Sequence, residues 1–202
     1  MTTTREYFRF KWSHEHVIHR FAVRVFNTAM RLIPLPVKYW VGKRLRLDSY
    51  PYKLIHEGSV VVQVGAPEDT LHSGRSRGMY FSLFAGNTGK VILIEPDVES
   101  LKEYEIAAEK LGRCNILSCP VALWSEKRKI IVYINKSHPA SSFSEGTKNY
   151  DSRLMKSYQT VELDADTLDN VLAERGIEGV HLVSITTNGA EKEILAGMKR
   201  TI

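Results

Sequence analysis

Two short apolar runs, residues 59–64 and 90–94, restrict what this chain can fold into more than any other feature. Each is too short for an independent helix, rich in Val and Ile, and largely free of the polar alternation of a half-exposed strand. That texture predicts strands of a parallel sheet, buried on both faces. Between them residues 79–85 read as a helix, followed by a turn at Gly86-Asn87-Thr88-Gly89. Beyond them residues 98–111 read as a helix stopped by Gly112, and residues 115–119 as a third strand. Residues 129–134 read as a half-exposed strand, 136–158 as a long polar loop and 159–163 as a short strand. A helix over 166–175 closed by Gly176, a strand over 181–186 and a last helix from near Glu191 complete the pattern. Strands alternating with helices predict an α/β fold with a doubly wound, mostly parallel sheet and flanking helices.

A different segment precedes this alternation. Residues 1–57 hold eleven Lys and Arg against four Asp and Glu, a balance of +7, whereas residues 58–202 hold 17 against 19, a balance of −2; together these give the net +5 of the chain. The basic excess is therefore local and calls for a local explanation. Ser13 is placed to cap a helix, and Val17, Ile18, Phe21, Val25, Ala29 and Ile33 recur at helical spacing. Pro34 and Pro36 are expected to stop it, and an aromatic and basic stretch follows over 38–53. The chain thus divides into a basic amphipathic helical segment, 1–57, and an α/β domain, 58–202. Three roles stay open for the first: packing on the domain, lying through residues 14–53 on an anionic membrane surface, or contacting nucleic acid, the least favoured. His14, His16 and His19 lack a Cys or carboxylate partner, so no metal site is expected there. No run is apolar enough to span a bilayer, and residues 1–9 lack the apolar core of a secretory signal. Cys114 and Cys119 have neither zinc nor redox spacing and suit a reducing cytoplasm.

In open parallel sheets ligands bind at the carboxyl ends of the strands. The first strand ends in Gly65-Ala66-Pro67, where a glycine either lets a ligand approach the backbone or simply makes a turn. The second ends in Glu95-Pro96-Asp97, and an acidic residue there can accept both hydroxyls of a ribose. The third leads through small residues to Ala122, suited to flank an adenine. The sequence after Gly65 has no G-x-G-x-x-G, the turn that a pyrophosphate needs. A phosphate-free nucleoside such as S-adenosylmethionine fits better than a dinucleotide.

Six pieces then occur in a specific order: Val64-Gly65-Ala66, Ile94-Glu95-Pro96-Asp97, Val121-Ala122-Leu123, Ser141-Ser142-Phe143, the run 161–169 from Val161 to Asp169, and the run 185–197 from Ile185 to Gly197. Over residues 58–199 this order resembles the FkbM methyltransferase family. The resemblance implies a class I, Rossmann-like domain that uses S-adenosylmethionine to methylate a hydroxyl of a sugar, glycan or similar metabolite. It places the cofactor at Gly65, Ala66, Pro67, Glu95, Pro96 and Ala122. A full sheet of this class has about three more strands than residues 58–202 supply, so either the sequence is truncated or the edge of the sheet is completed in another way.

The chain departs from the family pattern where chemistry is expected. The family has an aspartate at the position of Gln63 and an Asn-x-Gly at 67–69. It reads Lys-Ile-Asp-Val-Glu-Gly where this chain reads Ser184-Ile185-Thr186-Thr187-Asn188-Gly189. These changes make metal assistance an unsuitable mechanism and leave Thr186 and Asn188 at a strand end without a carboxylate. His72 and His138 are the nearest candidate bases, against ordinary loop histidines. The loop 71–79 offers Arg75 or Arg77 for the carboxylate of the methyl donor, against two solvated arginines. The expected function is a cytoplasmic O-methyltransferase, with peripheral association with a membrane one of the roles open to its N-terminal segment. Its rivals are a methyltransferase-fold binding or scaffolding protein without turnover, and an RNA-associated methyltransferase or RNA-binding module. The acceptor and the oligomeric state stay open.

Overall fold

The computed structural model describes residues 32–66, 68–134, 142–144, 159–187 and 189–201. The helix expected around residues 14–31 therefore lies outside the described residues, as do His14, His16, His19, Pro67, His138 and Asn188. The described chain opens with α1 (Leu35–Arg44) and a 3-10 turn at Tyr52–Leu54. It continues through β1 (Val60–Val64), α2 (Glu68–His72), α3 (Arg77–Ala85) and β2 (Lys90–Ile94). Next come α4 (Val98–Lys110), β3 (Ile116–Cys119), β4 (Ala122–Leu123), β5 (Arg128–Ile134) and β6 (Ser142–Ser144). The last elements are β7 (Gln159–Asp166), α5 (Leu168–Ala173), β8 (Leu182–Ile185) and α6 (Glu191–Ala196).

The two apolar runs pair as the sequence predicts. β1 and β2 lie side by side and parallel, with Val62 opposite Ile92, inside an all-parallel sheet of order β3-β2-β1-β8. Alternate residues face opposite layers. Val61, Val91 and Leu93 meet an aromatic core of Tyr39, Tyr52, Tyr80 and Phe81. Val62, Val64, Ile92 and Ile94 meet a core that includes Trp124, Leu168 and Ile194. The α/β, Rossmann-like architecture is thus present, with helices against the parallel sheet.

Three expectations change. The half-exposed strands do not extend the parallel sheet; they form a second one, β4-β7-β5-β6, in which β5 is antiparallel to both neighbours. Antiparallel strands tolerate one wet face, and β7 alternates exposed and half-buried residues accordingly. The polar stretch 136–158 is not all loop, because residues 142–144 pair with β5. Pro34 and Pro36, expected to stop a helix, begin one. Pro34 caps α1 and Pro36 lies in its first turn, where a missing N–H costs nothing.

Candidate functional site

The carboxyl ends of the parallel strands are tied into one row by backbone hydrogen bonds. Thr186 donates to the carbonyl of Val64 at 2.8 Å, Gly65 to that of Ile94 at 2.9 Å, and Glu95 to that of Cys119 at 3.2 Å. Gly65 sits in this row with φ of 81°, and a Cβ on it would come within 2.1 Å of the Thr186 carbonyl oxygen. Of its two sequence-level readings the turn therefore has a direct cause: the tip of β8 already fills the space a side chain would need.

Glu95 is held rather than free. Its Oε2 accepts from the backbone N–H of Ala66 at 2.9 Å and its Oε1 from that of Asp97 at 3.1 Å. Burial pushes its pKa above the usual carboxylate range, against the pull of those two hydrogen bonds, while the Asp97 charge adds to the rise. Each oxygen keeps a lone pair for a further donor. Pro96 is half-buried beside it and Ala66 is fully buried, so Gly65, Ala66, Glu95 and Pro96 come together as expected. Ala122 is also buried, but within the second core, directly after the backbone turn that Cys119 and Val121 close at 2.9 Å.

The departures from the family pattern meet each other. Gln63, 2% exposed on β1, donates its amide nitrogen to the carbonyls of Val64 and Gly65 at 2.9 and 2.8 Å and to the Thr186 hydroxyl at 3.3 Å. The two carbonyls can only accept, which fixes the amide's orientation and turns Oε1 the other way. That oxygen is buried with no partner among the described residues. Arg77 reaches the same exposed Thr186 hydroxyl at 3.5 Å. Two carboxylates in this contact would repel; an amide and a hydroxyl share a hydrogen bond instead.

The other candidates lie elsewhere. Arg75 donates to the Ser73 hydroxyl at 3.0 Å within its own loop, so of the two arginines it is Arg77 that contacts the strand tips. His72 is exposed, its imidazole 3.4 Å from the Glu103 carboxylate of α4, on the outer helix layer. Glu191 was not singled out by sequence reasoning, yet it closes the loop after β8. It accepts from the Thr187 hydroxyl at 3.1 Å and from the Gly189 N–H at 3.0 Å. The signal was present as a Glu in the first turn of the last helix, four residues after a Thr. Gly78 carries a second missed constraint. It opens α3 directly over Gln63, and a Cβ on it would press on Leu93 at 3.1 Å.

The family model described as the methyltransferase FkbM domain matches residues 63–202, a span that contains every strand tip in this row. No curated protein and no solved structure matches the chain.

Proposed function

The chain belongs to the FkbM methyltransferase domain family, and from that premise we propose that it binds S-adenosylmethionine at Gly65, Ala66, Glu95 and Pro96 and methylates a hydroxyl of a sugar, glycan or similar metabolite. The observation that carries this reading is Glu95: a half-buried carboxylate, fixed by two backbone N–H groups at the tip of β2, with acceptor capacity left over. A vicinal diol suits it, since two neutral hydroxyls can donate to it without bringing a charge. Arg77, exposed at Thr186, is placed for an anionic ligand group.

When bound, the sulfonium donor supplies a methyl group already activated toward an oxygen nucleophile. The protein's task is then mainly to hold the acceptor hydroxyl in line and keep water away. Removing the hydroxyl proton falls to solvent or to the acceptor's own environment. Among the described residues at the row of strand tips, Glu95 is the carboxylate assigned to the ribose, and Asp97 caps α4, accepting from the Glu99 N–H and the Ser100 hydroxyl. The reading includes a cytoplasmic location. Cys114 and Cys119 are free thiols, and no helix of the described residues is long and apolar enough to cross a membrane.

A second reading, a binding protein that retains the donor site without turnover, is favoured by one observation. Gln63 donates to the Thr186 hydroxyl, and neither side chain is ionisable where the family pattern has carboxylates. Calorimetric titration with S-adenosylmethionine and with its demethylated product tests both readings. Saturable binding, weakened at least about tenfold by Glu95→Ala, is the expected result. Transfer of a labelled methyl group to hydroxylated acceptors then separates the enzyme from the binding protein. A folded chain that binds neither ligand overturns both.

A further inference from the structure

α1 has two sides, and only one is explained by the fold. Leu35, Tyr39 and Gly42 face inward: Tyr39 is fully buried and donates its hydroxyl to the Leu71 carbonyl at 2.9 Å. Gly42 is packed so closely on the Tyr80 hydroxyl that any Cβ would collide with it. The opposite face should be mostly polar, as on α4, where Glu99, Lys102, Glu105 and Glu109 are exposed alongside Val98 and Ile106. Instead Val37, Trp40, Val41 and Leu45 recur there at i, i+3, i+4 and i+8, and all are exposed, Trp40 at 59% and Leu45 at 77%. The segment that follows exposes Leu47, Leu54 and Tyr50, the last at 69%. Scattered exposed apolar residues are ordinary, but a helical stripe of them is not.

Cations are interleaved with this apolar surface. The Arg44 guanidinium lies over the Trp40 ring at 4.4 Å from its centroid, and the Lys53 ammonium over the Tyr50 ring at 3.6 Å. Residues 32–54 contain five basic residues (Lys38, Lys43, Arg44, Arg46 and Lys53) against one acidic residue, Asp48.

From this juxtaposition we infer that α1 and the segment through Leu54 dock the protein onto an anionic lipid bilayer. The aliphatic side chains enter the acyl boundary, Trp40 and Tyr50 sit at headgroup level, and Arg44 and Lys53 meet lipid phosphates. Other occupants fit less of the surface. A second copy would bring the same positive charge against itself. A nucleic acid would use the cations but leave Val37, Val41 and Leu45 without a role, and the one face of Trp40 covered by Arg44 is not open to stack a base. Docking also has a consequence for the row of strand tips. Lys38 donates to the His72 carbonyl at 3.1 Å, so the docked helix is tied to the segment that leads away from Gly65. The docking itself does not depend on the methyl transfer proposed above.

Sedimentation of the full chain with sucrose-loaded vesicles tests this. Vesicles of phosphatidylcholine and phosphatidylserine should carry the chain down, phosphatidylcholine alone should not, and added salt should weaken the binding. The double variant Trp40→Ser, Leu45→Ser should bind at least about tenfold more weakly while keeping the wild-type melting temperature, since both side chains point away from the core. Arg44→Glu with Lys53→Glu should do the same by reversing the charge. Failure to bind the anionic vesicles, or undiminished binding by the apolar variant, overturns the proposal. So does a change in oligomeric state of that variant by light scattering, which assigns the stripe to a second copy. A larger loss of RNA binding than of vesicle binding assigns it to nucleic acid and overturns the proposal equally.

Discussion

The two faces of the parallel sheet are built differently. On one, Val61, Gln63, Val91 and Leu93 lie beneath α1, α3 and α4, in a core threaded with buried hydrogen bonds. Tyr80 donates to the Gly74 carbonyl at 2.7 Å, Ser76 and Tyr104 share a hydrogen bond of 2.6 Å, and Tyr39 holds Leu71. On the other, Val62, Val64, Ile92 and Ile94 pack against an almost wholly apolar layer that leads into the second sheet. Apolar burial is non-directional and forgives a shift of a few tenths of an ångström; a buried hydrogen bond does not. Every one of the three bonds on the first face holds part of the segment 71–76, which connects the tip of β1 to α3. Geometry that matters for a ligand is thus fixed from one side of the sheet, and bulk stability is drawn from both.

The largest expected effect lies at the row of strand tips itself. Gly65→Ala forces a side chain both into a positive-φ conformation and onto the Thr186 carbonyl. A loss of roughly 3 kcal/mol or more in urea unfolding is expected, with donor binding abolished. Gly112→Ala is the matched control. It has φ of 63° but nothing within 4 Å of the new Cβ, so it should cost only about 1 kcal/mol and leave binding intact. Equal effects at the two positions would mean that conformation alone, and not the tip of β8, demands the glycine.

A smaller effect separates the faces directly. Tyr80→Phe leaves the buried Gly74 carbonyl without its donor and should cost about 1–3 kcal/mol. Ile92→Val, on the aliphatic face, should cost about 0.5–1.5 kcal/mol. The ranges overlap, so stability is not the discriminating measurement; donor affinity is. Tyr80→Phe should weaken it by loosening the segment 71–76, and Ile92→Val should leave it unchanged. Equal losses of affinity would dissolve the distinction between a positioning face and a filling face.

What sequence reasoning reached, and what it missed, follows the same division between local and distant causes. β2 begins and ends where the apolar run does, and Glu95 is legible because strand tip and acidic residue are adjacent in the chain. The pairing of Gln63 with Thr186 was hidden because 123 positions separate them, although both departures were visible singly. β6 was hidden for a similar reason. Ser142–Ser144 has little strand character of its own and pairs only because β5 offers it an edge. α1 was obscured by local rules read in one direction. Pro34 and Pro36 end a helix as readily as they start one, and only the inward contacts of Tyr39 and Gly42 show which. Arg77 was favoured over Arg75 by nothing in the sequence, since both flank Ser76 and only the start of α3 decides which one leans toward β8.

The smallest predicted effect concerns pH, and here the site and the far side of the domain should move in opposite directions. Glu95 has a raised pKa, chiefly through burial, so the folded chain holds its proton more tightly than the unfolded chain does. Its contribution to stability falls as pH rises from the ordinary carboxylate range to its folded value, and stays lower above it. Asp169, in the first turn of α5, behaves inversely. Burial alone would raise its pKa, but hydrogen bonds from the Thr201 hydroxyl and the Arg200 and Thr201 N–H groups, with the Arg200 charge, bring it below the usual value. Its contribution is complete above the ordinary carboxylate range and is lost as pH falls through its folded value. Urea midpoints of wild type, Glu95→Gln and Asp169→Asn between about pH 7 and about pH 3 read both, and groups common to all three cancel in the differences. On going from acid to neutral pH the Glu95 variant should gain on the wild type and the Asp169 variant should fall behind. A Glu95 variant that falls behind as well would show that its carboxylate is stabilised, not strained, when ionised. The acceptor capacity assigned to it at the tip of β2 would then already be spent within the protein.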